Sequence, residues 1–229
     1  MENRLKKPVN IVCFYWNGTD RPGWDDVNLG FDYILKLYNG FKRNTTVPFK
    51  FHCLTPDVYY EHKDIAFHKL ESPSWMGCLP KYSMFNPAYG FEGRVFACDL
   101  DVVITGNMDD ILSYKGKFST RRTFHGKPES GGDMISFKGG TYQWIWKTFV
   151  DNTSGMENFT KGRERWVYRY HPKMKKFPFL QDLFPGQILS YKNNVNGGRG
   201  VTESTRIVSC HGNPRPHKIN EPWVKEHWI

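Results

Sequence analysis

No apolar run in this 229-residue chain approaches the roughly 20 residues that cross a bilayer, so no transmembrane segment is expected. The opening "MENRLKKPVN" is charged and passes straight into a strand-like segment, which is not the pattern of a signal peptide. Cysteines are few, five in number, and no CxxC pair occurs. Three of them, Cys13, Cys53 and Cys98, sit inside apolar strand-like runs, where a cysteine serves as a small buried hydrophobe. A reduced, cytoplasmic setting is therefore expected, and the sequons at Asn17, Asn44, Asn152 and Asn158 then carry no meaning. Internal repeats and low-complexity tracts are also missing. Acid is scarce: 23 Asp and Glu stand against 32 Lys and Arg, a net charge of +9. That balance favours an anionic partner such as a phosphate ester or a nucleotide. It does not select nucleic acid, because the basic residues are spread along the chain and no recognition spacing appears. Only "KGRERWVYRYHPKMKK" (161–176) is locally basic and aromatic.

What is present suffices for a core: 39% of residues are hydrophobic and 16% aromatic, in a length that suits one domain spanning 1–229. "VNIVCFYW" (9–16) reads as a buried strand ending in a Gly/Pro/Asn loop. Leu29, Tyr33, Leu37 and Phe41 fall at helical spacing and predict an amphipathic helix. Further strands are expected at 49–55, 64–70, 94–100, 116–124, 132–140, 186–192 and 205–212, with helices at 108–114 and 142–152 and one helical turn at 82–85. Residues 151–180 show no clear period and read as a variable lid or insertion. Strand, helix, strand, then a mixed second half predicts an α/β fold with a mostly parallel sheet flanked by helices. Ligands of such sheets bind at the carboxyl ends of the strands, which singles out loops 16–26, 99–110 and 211–218.

The stretch "RVFACDLDVVITGNMDDIL" closes an apolar run on two carboxylates, Asp99 and Asp101. In extended geometry they project from one side, roughly 6.6 Å apart at Cα. Two acids so placed repel unless protonated or joined by a cation. A hard divalent ion resolves the conflict, with oxygens at about 2.0–2.2 Å; Lys or Arg could do so too. With 13 Asp in the chain, chance supplies about 0.7 Asp-x-Asp triplets, so the place of this one at the end of an apolar strand carries the argument.

This block resembles the Asp-x-Asp region of GT-A glycosyltransferases, especially the family 8 group typified by glycogenin and galactosyltransferases. "PKYSMFNP" is similar to the basic segment before that strand, "GGDMISF" to the acceptor-side strand, and "STRIVSCHGNPRPHKINEPWVKEHW" to the closing His/Gly/Lys-Pro-Trp region. The resemblance implies a GT-A fold, with a nucleotide-binding part over about 8–110 and an acceptor side over about 111–229. It implies transfer of a sugar from a nucleotide-diphosphate sugar, a UDP-sugar above all, to an acceptor, with retention and with Mn2+ or Mg2+. Asp99, Asp101 and His211 would hold the metal, with His217 as the fallback. Tyr15, Trp16, Asn17, Lys81, Asp99, Leu100, Asp101 and Arg215 would hold the nucleotide-sugar. Arg215 falls where the family has a phosphate-neutralising lysine. Asp133, then Glu164 and Asp182, are the catalytic candidates. Two departures stand out: no Asp-Gln pair occurs near 160–182, and His211 abuts Gly212, so that Ser209 stands where the family places its histidine. A catalytically degenerate protein of the same fold, binding a nucleotide or a glycan, is the alternative.

Overall fold

The computed structural model describes residues 7–16, 30–56, 58–70, 77–124, 129–174, 176–196 and 200–229. The chain alternates strand and helix at first: β1 (Val9–Phe14), α1 (Gly30–Arg43), β2 (Phe49–Thr55) and β3 (Ile65–Lys69). A 3-10 turn over Leu79–Phe85 leads to β4 (Arg94–Cys98), β5 (Val102–Ile104) and α2 (Asp109–Leu112). Then come β6 (Phe118–Arg122), β7 (Ser130–Lys138), α3 (Gln143–Asp151), α4 (Thr153–Thr160), α5 (Arg165–Tyr170) and α6 (Leu180–Leu183). The chain closes with β8 (Ile188–Ser190), β9 (Ile207–Ser209) and α7 (Pro222–His227).

Six strands form the central sheet in the order β3-β2-β1-β4-β7-β6. The first four are parallel, and β7 and β6 each run antiparallel to their neighbour. Both faces of the inner strands are covered, which is why β1 reads as a nearly continuous apolar run. Ile11 and Cys13 pack with α1, whereas Val12 and Phe14 pack with the 79–85 turn and the α3–α5 layer. Helix α1 buries Tyr33, Ile34, Leu37, Tyr38 and Phe41. It approaches β5 so closely that a Cβ on Gly40 would lie 3.2 Å from Ile104.

Three sequence expectations are corrected. The strand expected over 94–100 stops at Cys98, and Leu100–Asp101 form a turn. Residues 102–104, expected as a loop, are a strand that joins β9 and β8 in a second, three-stranded sheet. Residues 151–180, expected as a variable lid or insertion, carry α4 and α5 and the first residue of α6, and Met156, Val167 and Tyr168 fill the second core layer. Leu29 lies outside the described residues. No helix among the described residues is long and apolar enough to cross a membrane.

A buried polar pair carries a pH prediction. Asn10 donates from Nδ2 to Glu92 O and Arg94 O, so its Oδ1 accepts from His52 Nε2 at 3.1 Å. His52 Nδ1 is then the acceptor in its 2.9 Å bond to His68 Nε2, and a proton there would meet another proton. Burial, aided by His68 and Lys50, lowers the His52 pKa to about 4. The stability gained by keeping this ring neutral is fully present above the unfolded value near 6.5. It is lost as pH falls from there towards 4, roughly 3 kcal/mol in all. Urea unfolding at pH 7 and pH 5 should show this slope, and His52→Gln should flatten it.

Candidate functional site

Seven charged side chains converge where β4 ends. Lys81, on the buried 79–85 turn, places Nζ 2.5 Å from Asp99 Oδ1 and 3.5 Å from Glu164 Oε1. Arg215 ion-pairs with Asp101 Oδ2. Asp133, on β7, touches the same cluster: its backbone carbonyl accepts from the Asp99 N–H at 2.9 Å. Its carboxylate is ion-paired with Arg121 of β6 and accepts from Ser209 Oγ of β9 at 2.8 Å. Four carboxylates thus face three cations, Lys81, Arg121 and Arg215.

The sequence builds this place from strand ends. β4 delivers Asp99 and then breaks into the turn carrying Asp101, whose carbonyl accepts from the Cys210 N–H at 2.9 Å. That bond extends the β5–β9 pairing into the segment that carries Arg215. Gly132 makes room for Glu164: a Cβ there would stand 1.7 Å from Glu164 Oε1. The Glu164 carbonyl is held by the Tyr82 hydroxyl at 3.0 Å.

Charge is unevenly satisfied. Burial alone would discharge Lys81, but Asp99 and Glu164 outweigh it and hold the ammonium above its usual range. Burial penalises ionised Asp133 as well, yet Arg121 and the Ser209 hydroxyl bring its carboxyl below the usual range. Asp99 goes the other way. Burial raises its carboxyl, Lys81 opposes the rise, and Asp133 and Glu164 add to it. Among the described residues Asp101 Oδ1 is buried without a hydrogen-bond partner. A carboxylate oxygen left so costs about 1–3 kcal/mol or more. Among the described residues the cluster holds one carboxylate more than it holds cations, Lys81 being shared by Asp99 and Glu164.

Other expected site residues lie elsewhere or have other partners. His211 Nε2 is 3.0 Å from Ser190 Oγ, and its ring stacks on Phe124 at 5.5 Å. Among the described residues no three His, Cys, Asp or Glu side chains are arranged to hold a metal ion, so the expected set of Asp99, Asp101 and His211 is not assembled. His217 Nδ1 is bonded to the Tyr33 hydroxyl. Asp182 is 54% exposed and ion-paired with Arg122, outside the cluster. Leu100 is core. Tyr15 is buried edge-on to Tyr60, and Trp16 is half-buried against the second core layer. Asn17 lies outside the described residues. Sequence reasoning missed Arg121, whose only signal was its place on a strand neighbouring Asp133, and it noted Ser209 only as standing where the family has a histidine.

No protein-family model matches this sequence, and no curated protein matches it. Solved structures do. Two are the glycosyltransferase GlyE of Streptococcus pneumoniae TIGR4: one at 15% identity and a TM-score of 0.57, covering 80% of this chain and 47% of that one. The other, its apo form, is at 14% and 0.61, covering 92% and 56%. An active-site mutant of LgtC matches at 9% identity and 0.54, covering 95% and 93%. The chain therefore spans about half the length of GlyE and nearly all of LgtC, and its fold is that of the GT-A glycosyltransferases.

Proposed function

We propose that the chain transfers a sugar from a nucleotide-diphosphate sugar, a UDP-sugar by preference, to an acceptor, with retention. The observation that carries this reading is the buried Asp101 Oδ1, unpartnered among the described residues, beside Asp99 in a cluster with one carboxylate more than it has cations. Asp99 and Asp101 are the residues that would hold a hard divalent cation, Mn2+ or Mg2+, beside the diphosphate of the donor. When bound, that ion would neutralise the diphosphate as it departs.

The chain's own groups divide the remaining work. Arg215 is the residue placed to release Asp101 and grip the diphosphate bidentately. Lys81 holds Asp99 and Glu164 in fixed positions and keeps its proton throughout. Asp133 is bound to Arg121 and Ser209, which leaves it as a positioning group for the strand end. Glu164 is the carboxylate that would meet the sugar or the attacking hydroxyl, because among the described residues its carboxylate is paired only with Lys81, at 3.5 Å, and with no arginine. The absent imidazole ligand favours the degenerate binding module as the second reading.

Thermal melting separates donor binding from its absence. UDP with Mn2+, at a hundredfold excess over Kd, should raise the melting temperature by roughly 5–10 °C, and either alone by much less. Asp101→Asn should abolish the joint effect. Equal shifts for the wild type and this variant would remove the two-carboxylate cation site.

A further inference from the structure

The segment "KGRERWVYRYHPKMKK" holds seven Lys or Arg against one acid, Glu164. That acid is buried in the cluster, so its charge does not offset the outer surface. The aromatics of this segment divide by face. Val167 and Tyr168 enter the core, whereas Tyr170 is 48% exposed and Trp166 half-buried. Trp166 and Tyr170 meet edge-to-face at 5.4 Å. A cation lies by each outer ring: Arg163 is 5.7 Å from Trp166, Arg169 4.5 Å from Tyr170, and Lys173 5.4 Å from Trp144.

Half-exposed indole and phenol rings interleaved with cations are not needed for solubility, which charge alone supplies. A flat ring offers an apolar platform to the C–H face of a pyranose, and a guanidinium grips a carboxylate or sulfate. Glu164 immediately precedes α5 without a side-chain capping bond, so this face begins one residue from the cluster's carboxylate. Arg169 is also paired with Glu129 at 2.7 Å, which makes Arg163 and Lys173 the readier contacts.

We propose that this face of α5, with Trp144, binds an acidic saccharide as the acceptor, its carboxylates or sulfates on the cations and its rings on the aromatics. The assignment rests on the sugar-transfer reading. Its test is a tryptophan-fluorescence titration of the full chain with tetragalacturonate, maltotetraose and a short oligo(dT), without donor. Tetragalacturonate should bind about tenfold more tightly than maltotetraose, and the gap should narrow with salt. Arg163→Gln should remove most of that preference, and Trp166→Ala should weaken both saccharides. Equal affinity for the two saccharides, indifference to Arg163→Gln, or tighter binding of oligo(dT) would each overturn the proposal; the last would mark a single-strand nucleic-acid face. UDP with Mn2+ should still stabilise both variants. If it fails to stabilise even the wild type, the donor-site reading falls, while the titration still reads this face.

Discussion

Lys81→Met should cost the fold roughly 3–5 kcal/mol, the usual penalty for removing one partner of a buried ion pair. Methionine keeps the volume, so packing is little changed and the loss is electrostatic. Glu164, only 7% exposed at its side chain, loses its nearest cation outright. Asp99, at 29%, recovers some hydration, which places the effect towards the lower end. The loss should also depend on pH. Without the ammonium nothing opposes the burial and the Asp133 charge that raise the Asp99 carboxyl, so the variant is least stable at neutral to alkaline pH and regains stability as acid protonates Asp99. Adding Glu164→Gln to Lys81→Met should restore part of the stability by removing one uncompensated charge. Urea unfolding of the three proteins at pH 5 and pH 8 measures all of this. A Lys81→Met protein as stable as the wild type at pH 8 would mean that the cluster is more hydrated than its burial shows.

The same residues show what could be read from the chain and what could not. The parallel half of the sheet was readable because β1 and most of β2 are buried on both faces, so apolar residues dominate them despite Asn10, Lys50 and His52. The helix α1 was readable from Tyr33, Leu37 and Phe41 at a spacing of four. The short β5 was not, because three apolar residues between a turn and a glycine look alike as loop or strand. Its partner β9 lies about a hundred residues on, and only pairing with Ile207–Ser209 decides the matter. Residues 151–180 misled for a related reason: α4 to α6 are at most eight residues long, too short to show a helical period. At the site, Asp99 and Asp101 stood out by their position after an apolar strand. The partners of Asp133 were not legible: a carboxylate after two glycines looks available until the neighbouring strands supply Arg121 and Ser209, and strand neighbours are a tertiary fact.

Glu164→Gln should abolish sugar transfer while leaving the protein folded and able to take up the donor. The change keeps the shape and removes one of four carboxylates from a cluster with three cations, so stability should hold or rise slightly. If the carboxylate serves as nucleophile or base, turnover should fall by about 10²–10⁴-fold or more. The melting shift with UDP and Mn2+ should persist, because Asp99 and Asp101 are untouched. Gly132→Ala reaches the same group by another path. Its new methyl would occupy the position of Glu164 Oε1 and drive that side chain out of its cradle, with a loss of rate approaching that of Glu164→Gln. Asp182→Asn, on the surface, should leave the rate unchanged. Transfer from a UDP-sugar, followed by UDP release in the four proteins, decides the matter. Full activity in Glu164→Gln would return the catalytic role to another carboxylate of the cluster. Donor uptake without turnover in the wild type itself would establish the binding-module reading.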